Sequence, residues 1–227
     1  MTKGKLYGVG VGPGDPELLT LKTARLLREC SVVAMPGKER EKCFAYTIAK
    51  GAVPEIDEKE ALMIDMPMTK DQEKRRLAYE IGAKQICEKL SEGKDVVFIT
   101  LGDVTVYSTY CYLHKLASEK GFETEMVPGI TSFCAAAAVL ETSLCENDDE
   151  LHVIPGTYKP TEALDYSGVK VFMKNNIKGT VEAAKAKGLK VQMVENCGTK
   201  DQHVYRDTDE IPYDAGYYSL LIIKTNY

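Results

Sequence analysis

Glycines gather with carboxylates or hydroxyl groups in three short segments, and the first is residues 8–16, G-V-G-V-G-P-G-D-P. Glycines between a strand and a helix allow a ligand or a second backbone to approach closely. A G-x-G-x-x-G dinucleotide fingerprint does not fit, because Pro13 and Asp15 stand where its last glycine would be. Two interpretations stay open for this segment: a tight βα turn capped by Asp15, and one wall of a ligand site.

The second segment, residues 100–109 (T-L-G-D-V-T-V-Y-S-T), follows the clearest buried-strand pattern in the chain. Ligands of α/β domains bind beyond the carboxyl ends of the strands. At this position Gly102 would expose its backbone, Asp103 would add a carboxylate, and Ser108 would offer a hydroxyl group. The segment therefore predicts a ligand site, and the alternative is that Asp103 only caps the next helix.

The third segment, residues 127–133 (V-P-G-I-T-S-F), runs into four consecutive alanines at 135–138. Small residues allow a helix to pack closely, and Thr131 or Ser132 would cap it. Taken alone, the segment fits a capped, closely packed helix as well as it fits a binding turn.

Alternating strand and helix patterns must position these three segments, and they predict an α/β fold with a mostly parallel sheet in the N-terminal half. The predicted strands are residues 5–12, 31–35, 61–66, 95–100, 123–127, 151–154, 169–173, 191–195 and 219–224. The predicted helices are residues 15–29, 45–49, 71–90, 107–120, a segment after Pro128-Gly129, and 179–187. Polar residues at 118–121 predict a boundary between an N-terminal domain, 1–118, and a C-terminal domain, 119–227. Strands outnumber helices in the second domain, which favours a mixed sheet.

Composition excludes several classes of protein. A net charge of −5 over 227 residues argues against a protein that binds nucleic acid phosphates. No apolar run approaches the roughly 20 residues that cross a bilayer, and no signal peptide is visible, so we expect a cytoplasmic protein without membrane contact. Seven cysteines at irregular spacing and three scattered histidines predict neither a disulfide framework nor a protein-bound metal.

In this order, the three segments resemble the tetrapyrrole methylase family. The family pattern is a G-x-G-P-G-D-P-E-L-L-T-L-K opening, a G-D-P-x-x-Y-S turn and a P-G-I-[ST]-S turn, and this chain matches it at residues 10–22, 102–108 and 128–132. Val104 departs from the pattern, since proline is usual there. Within the family, residues 65–71 and 217–220 are most similar to the members that methylate carbon 20 of precorrin-2 or cobalt-factor II in cobalamin biosynthesis.

The resemblance implies a homodimer of two-domain subunits, with S-adenosylmethionine bound in the cleft between the domains and a tetrapyrrole as the methyl acceptor. It assigns donor binding to ten residues: Pro13, Leu101, Gly102, Asp103, Val106, Thr131, Ser132, Met173, Cys197 and Ser219. Asp103 or Asp15 would accept the proton that leaves carbon 20, and the sequence does not choose between them. Cobalt, where present, would arrive inside the substrate.

The substrate of such an enzyme carries several carboxylates, so we expect cations around it. Two basic stretches offer them: Lys38 and Arg40 in the first, and Arg75 and Arg76 in the second. The alternative is a solvated surface, because acidic residues alternate with these cations. A methylase of the same fold acting on RNA and a non-catalytic ligand-binding relative remain alternative functions.

Overall fold

A computed structural model describes residues 2–156, 158–173 and 176–225, and the chain divides into two compact units, Met1–Thr131 and Ser132–Tyr227. The first unit contains, in chain order, β1 (Leu6–Gly10), α1 (Leu21–Glu29), β2 (Val32–Pro36), α2 (Phe44–Ala52), β3 (Glu60–Ile64), α3 (Gln72–Ser91), β4 (Val96–Thr100), α4 (Tyr110–Glu119) and β5 (Thr124–Val127). The second contains α5 (Ser132–Val139), β6 (Leu151–Pro155), α6 (Pro160–Ala163), β7 (Val169–Met173), α7 (Ile177–Ala186), β8 (Val191–Glu195), β9 (His203–Tyr205) and β10 (Ser219–Lys224).

The sheet of the first unit has the order β3-β2-β4-β1-β5, and all of its strand pairs are parallel. Helices cover both faces, as a parallel sheet requires. Alternate residues of β4 show this directly: Val97 and Ile99 pack with α1 and α2, whereas Val96 and Phe98 pack with α3 and α4. The predicted α/β fold with a parallel N-terminal sheet is therefore confirmed.

The second unit has the order β6-β7-β10-β8-β9. Among the described residues of this unit, only β6 and β7 pair in parallel, and the remaining pairs are antiparallel. Its core consists of apolar side chains from the central strands and α7, among them Phe172, Val181, Met193 and Leu221. The predicted mixed sheet of the C-terminal half is confirmed as well.

The boundary between the units differs from the one expected after residue 118. The strand β5 pairs in parallel with β1, from Leu6 opposite Thr124 to Val9 opposite Val127. It therefore completes the first sheet, and the chain divides between Thr131 and Ser132. The polar residues at 118–121 only form the turn between α4 and β5, because Gly121 adopts a left-handed φ of 76° there.

The helix expected at 15–29 is also shorter than predicted. Asp15 caps a single 3₁₀ turn at Pro16–Leu18, with its side chain accepting from the Glu17 amide, and α1 begins only at Leu21. The reason is a second cap, since Thr20 is extended and its hydroxyl accepts from the Thr23 amide. The short elements α6 and β9 were not predicted, because they have only four and three residues.

Candidate active site

The three glycine-containing segments meet at the carboxyl edge of the first sheet. The strands β1, β4 and β5 are neighbours in that sheet, and one of the three segments follows each of them. Because all strands run in the same direction, their carboxyl ends share one edge. This is the edge at which α/β domains bind ligands.

Backbone contacts hold the three turns against one another. Gly12 and Gly102 form an isolated antiparallel bridge, with N–H···O distances of 3.1 Å from Gly12 to Gly102 and 2.8 Å in the reverse direction. A Cβ atom on Gly10 would lie 2.4 Å from the Gly102 carbonyl oxygen and 2.8 Å from Gly129 Cα. One on Gly129 would lie 2.3 Å from the same oxygen. Glycine is therefore required because three backbones touch here.

Asp103 lies at the centre of this contact and is only 7 % exposed. Its Oδ1 atom accepts from the amide of Thr105 at 2.8 Å and from the Thr105 hydroxyl, and its Oδ2 atom accepts from the Gly129 amide at 2.7 Å. Burial on its own raises the pKa of this carboxyl, but the hydrogen bonds from Thr105 and Gly129 outweigh it and hold the pKa below its ordinary value. The carboxylate thus joins the turn after β4 to the turn after β5.

Core packing and side-chain hydrogen bonds hold the rest of the turn after β4 in place. Val104, the departure from the family pattern, is fully buried in the cluster that contains Tyr110 and Leu113. Ser108 donates from its hydroxyl to Thr100 Oγ1 at 3.2 Å, and it accepts from the Tyr110 amide at 3.2 Å. Tyr107 adopts a φ of 50°, a backbone conformation that few residues other than glycine adopt. Valine therefore secures this turn by packing in the core.

Thr131 ends the turn after β5, and its Oγ1 atom is buried without a hydrogen-bond partner among the described residues. A buried hydroxyl without a partner costs about 1–3 kcal/mol, so a bound polar group would be favoured here. Ser132 begins α5 and is half-buried. Pro13 is buried in the first turn, and Leu101 and Val106 are half-buried in the second.

Asp15 lies at the end of the first turn and is partly exposed. Its Oδ1 atom accepts from the Glu17 amide at 2.8 Å, whereas Oδ2 has no hydrogen bond to a described residue. The two carboxylates proposed from the sequence therefore differ. Asp103 has both oxygens occupied by protein donors, and Asp15 has one oxygen available.

Three further residues predicted for donor binding lie at one edge of the second unit's sheet. Met173 ends β7, Ser219 begins β10, and Cys197 follows β8, while Leu220 is opposite Met173 and Ser219 opposite Glu195. The Ser219 hydroxyl donates to the Gly216 carbonyl at 2.8 Å. Burial raises the pKa of the Cys197 thiol to about 11, so this side chain is a neutral, apolar surface at physiological pH.

The expected substrate cations follow β2 and β3, at the same edge of the first sheet as the glycine turns. Lys38 pairs with Asp65 at 3.3 Å, and Arg40 lies over the Tyr46 ring at 5.2 Å. Arg75 and Arg76 line an open cavity of about 580 Å³ at the start of α3, together with Gln72, Glu73, Tyr79 and Tyr112. The two pairs of cations occupy separate places on the first unit.

The described parts of the chain contain neither a cluster of metal-binding side chains nor a helix that could span a membrane. Within residues 2–156, 158–173 and 176–225, no group of three or more His, Cys, Asp or Glu side chains could hold a metal ion. Over the same residues, no helix combines the length and the apolar character that a bilayer crossing needs. All seven cysteines are free thiols, four of them buried.

Sequence reasoning did not identify the amide of Gly129 and the side chain of Thr105 as the partners of Asp103. Gly129 lies 26 residues from Asp103 in the chain. The available signal was that each of the three segments contains a glycine, which indicates close backbone contact but does not say with which partner.

Comparison with known proteins agrees with this geometry. The family described as Tetrapyrrole (Corrin/Porphyrin) Methylases matches residues 5–211. A protein of Methanocaldococcus jannaschii named "Probable cobalt-precorrin-2 C(20)-methyltransferase" is 35 % identical over 226 residues, which cover 97 % of this chain and 96 % of that protein. A "Precorrin-2 C(20)-methyltransferase" of a Sinorhizobium species is 29 % identical, covering 97 % and 95 %.

Among solved structures, the uroporphyrin-III C-methyl transferase of Thermus thermophilus complexed with S-adenyl homocysteine superimposes with a TM-score of 0.69. It is 21 % identical in sequence, and the match covers 98 % of each chain, so it shows a common fold. The match of the family over most of the chain, joined to its three converging turns, means that this protein belongs to the tetrapyrrole (corrin/porphyrin) methylase family.

Proposed function

We propose that this chain is an S-adenosylmethionine-dependent methyltransferase that methylates carbon 20 of precorrin-2 or of its cobalt-bearing counterpart, cobalt-factor II, in cobalamin biosynthesis. The observation that carries the proposal is the convergence of three glycine turns at the carboxyl edge of the first sheet, beside the unpartnered hydroxyl of Thr131. The names of the two C(20)-methyltransferases similar over nearly the whole chain support the position of methylation. The more similar of the two is named for the cobalt-bearing substrate, which favours that substrate here.

Two features of the first unit fit a methyl donor with polar groups. The close backbone contacts at Gly10 and Gly129 hold the three turns together at the ligand-binding edge of the sheet. Thr131 Oγ1 offers a buried hydroxyl that no described residue satisfies. We therefore propose donor contacts from Pro13, Leu101, Gly102, Asp103, Val106, Thr131 and Ser132. The family resemblance extends the proposal to Met173, Cys197 and Ser219 of the second unit.

The bound donor supplies an electrophilic methyl group on a positively charged sulfur. Its acceptor is a meso carbon that is already electron-rich, so the residues act mainly by positioning, which can contribute roughly 7–11 kcal/mol in the best intramolecular cases. The ionised carboxylate of Asp103 favours a positive charge nearby, and this charge disappears during transfer. Asp103 would thus assist binding more than the chemical step.

A proton must leave carbon 20 after the methyl group has been transferred. We propose Asp15 as the acceptor, since its Oδ2 atom makes no hydrogen bond to a described residue, whereas both oxygens of Asp103 accept from protein groups. Asp103 then acts as a positioning residue, because it fixes the turn after β4 against the turn after β5. This assignment selects one of the two carboxylates that the sequence left open.

For the carboxylates of the substrate we propose Lys38, Arg40, Arg75 and Arg76 as partners. All four belong to segments that follow β2 and β3. Replacing each with glutamine would raise the KM for the tetrapyrrole and leave the Kd for the donor unchanged, because a neutral amide removes the charge that attracts the substrate's carboxylates. Lys115→Gln is the matched control, since Lys115 is an exposed cation of α4 whose ion-pair distance to Glu119 is 3.9 Å. An unchanged KM in the quadruple variant would refute this part of the proposal.

The reaction itself is tested by adding purified protein and S-adenosylmethionine to precorrin-2 and, separately, to cobalt-factor II. A change in the absorption spectrum and a mass gain of one methyl group at carbon 20 are expected with at least one of them. Methylation at another position would change the proposed specificity, and binding without transfer would indicate a non-catalytic relative. Methylation of RNA at physiological salt, with no reaction on either tetrapyrrole, would contradict the proposed substrate class.

We propose a homodimer in the cytoplasm as the working form, without nucleic acid or membrane partners. The seven free thiols agree with a reducing compartment. Size measurements on the purified protein test the dimer independently of its activity.

A further inference from the structure

Arg40, one of the four cations proposed for the substrate, is held more closely than its neighbours in the segment after β2. Its side chain is 34 % exposed, whereas the side chains of Lys38 and Lys42 are 77 % and 75 % exposed. Those two lysines lie 3.3 Å from Asp65 and 2.8 Å from Glu39, in exposed ion pairs that do little to fix a side chain. Arg40 is therefore the cation of this segment whose position the fold determines.

The ring of Tyr46 in α2 supports the guanidinium group of Arg40. The distance from the guanidinium carbon, Cζ, to the ring centroid is 5.2 Å, which is within the range of a cation–π contact. Tyr46 is only 5 % exposed and packs in the core with α1 and β4, so its ring has a fixed position. Helix α2 also touches the first glycine turn, since a Cβ atom on Gly51 would lie 2.5 Å from Pro16 Cγ. The support beneath Arg40 is thus fixed relative to Asp15, the proposed proton acceptor, which directly precedes Pro16.

Asp57, in the 3₁₀ turn between α2 and β3, holds the hydroxyl end of Tyr46. The Tyr46 hydroxyl donates to Asp57 Oδ1, and Lys50 Nζ, one helical turn further along α2, lies 2.6 Å from Asp57 Oδ2. The hydrogen bonds from Lys50 and Tyr46 hold the pKa of Asp57 below its ordinary value, whereas burial and then Asp57 raise the pKa of Tyr46. The phenol therefore keeps its proton at neutral pH and donates it to an ionised carboxylate. Such a bond makes the ring more electron-rich, which strengthens its attraction for Arg40.

The guanidinium group of Arg40 keeps donors for a ligand. Its one hydrogen bond within the described chain is long, 3.4 Å from Nε to Glu41 Oε1, and it does not use the two Nη groups. A planar guanidinium can bind a carboxylate through two parallel N–H···O bonds. A guanidinium that is already held in place also loses less conformational freedom on binding than an exposed side chain would.

We infer that Tyr46 is a positioning residue, which holds Arg40 so that both of its Nη groups can bind one carboxylate of the tetrapyrrole substrate. Asp57 and Lys50 act through Tyr46, because they hold its hydroxyl group. The inference rests on the proposed function and makes it more specific. Of the four proposed cations, Arg40 makes the defined contact with two hydrogen bonds, and Tyr46 supports that contact without touching the substrate.

A double-mutant cycle separates positioning from a purely structural role, with KM and kcat measured on whichever tetrapyrrole the wild type methylates. Arg40→Gln is expected to raise the KM roughly tenfold and to leave kcat unchanged, because it removes a contact made equally in the bound substrate and in the transition state. Tyr46→Leu is expected to raise the same KM roughly threefold to fivefold in the wild-type background and not at all in the Arg40→Gln background. A structural role of Tyr46 would instead raise the KM by the same factor in both backgrounds.

Two conservative variants test the chemistry of the contact. Tyr46→Phe keeps the ring and loses only the hydrogen bond to Asp57, so its KM is expected to lie between those of the wild type and Tyr46→Leu. Arg40→Lys keeps the charge and loses the planar pair of donors, so its KM is expected to stay well above that of the wild type. A wild-type KM in Arg40→Lys would contradict the contact with two hydrogen bonds.

Lys42→Gln is the matched control, since it removes an exposed cation from the same segment, and its KM is expected to equal that of the wild type. The Kd for S-adenosylmethionine is expected to stay unchanged in every variant, and circular dichroism checks the fold. If Tyr46→Leu does not fold, Tyr46→Phe takes its place in the cycle. Equal factors in both backgrounds, or an Arg40→Gln variant with the KM of Lys42→Gln, would overturn this inference and leave the proposed reaction intact. A wild-type protein that methylates neither tetrapyrrole would refute the proposed function and this inference with it.

Discussion

Replacing Gly129 with alanine adds one methyl group at the point where the three turns of the first unit meet. The new Cβ atom would lie 2.3 Å from the Gly102 carbonyl oxygen and 2.8 Å from the Cα atom of Gly10. Non-bonded carbon atoms prefer separations of about 3.5–4.0 Å, so the backbones must move apart by roughly 1 Å. Both neighbours are main-chain atoms, and no side chain can rotate to relieve the overlap.

The cost follows from two contributions. Overpacking of a well-packed site costs about 1–3 kcal/mol. A shift of about 1 Å would also stretch the 2.7 Å hydrogen bond from the Gly129 amide to Asp103 beyond its normal range, and a hydrogen bond to a charged group is worth about 1.5–3 kcal/mol. We therefore expect Gly129→Ala to reduce the free energy of unfolding by roughly 2.5–6 kcal/mol, which lowers Tm by roughly 5–24 °C for a chain of this size.

Differential scanning calorimetry measures the loss of stability, and titration calorimetry measures the affinity for S-adenosylmethionine. Gly188→Ala is the matched control, because Gly188 has a left-handed φ of 69° and nothing within 4 Å of the added Cβ atom. This control loses only the backbone preference, about 1–2 kcal/mol. The reasoning is refuted if Gly129→Ala is no less stable than Gly188→Ala, since the steric overlap would then be absent. The affinity for S-adenosylmethionine is expected to fall in Gly129→Ala and to stay unchanged in Gly188→Ala.

Three further predictions concern single side chains. Thr131→Val removes a buried hydroxyl that has no described partner, so calorimetry is expected to show unchanged or higher stability together with roughly tenfold weaker donor binding; lower stability without loss of affinity would contradict it. Asp103→Asn places an amide against one of the protein donors and is expected to cost about 1–3 kcal/mol at pH 7. The pKa of Asp103 is lowered by folding, so its carboxylate stabilises the protein above the unfolded pKa and this contribution disappears as the pH falls through the folded pKa. Urea unfolding should therefore show a gap between wild type and Asp103→Asn that is constant near neutrality and narrows below about pH 4, and a gap that widens on acidification would contradict this sign. Tyr110→Phe removes a hydroxyl that donates to the Glu125 carbonyl at 3.1 Å. We expect urea unfolding to show a free energy of unfolding about 1 kcal/mol lower than that of the wild type. An unchanged free energy of unfolding would mean that this hydrogen bond contributes nothing to stability.

Much of the fold follows from local patterns in the sequence. The apolar run at 96–99 and its counterparts predict buried strands because parallel strands are covered on both faces. The prediction was less accurate where two local signals competed. Asp15 followed by Pro16 indicates a helix start, but Thr20 is a second cap, and the structure uses Asp15 for a 3₁₀ turn and Thr20 for α1. The domain boundary was predicted at the wrong position, because a polar turn within a domain has the same composition as a polar linker between two domains.

By itself, the sequence determined the three glycine turns, their order after strands and the family to which they belong, since these depend on residue types at short spacing. Only the tertiary structure decided which turns touch and which protein groups each carboxylate binds. Pairing of β5 with β1 places Gly129 beside Asp103, and the backbone amide of Gly129 donates a hydrogen bond to Asp103 Oδ2. From the sequence alone, that oxygen was a candidate proton acceptor. The physical reason is that hydrogen bonds are satisfied by neighbours in space, and a parallel sheet brings together turns that lie far apart in the chain.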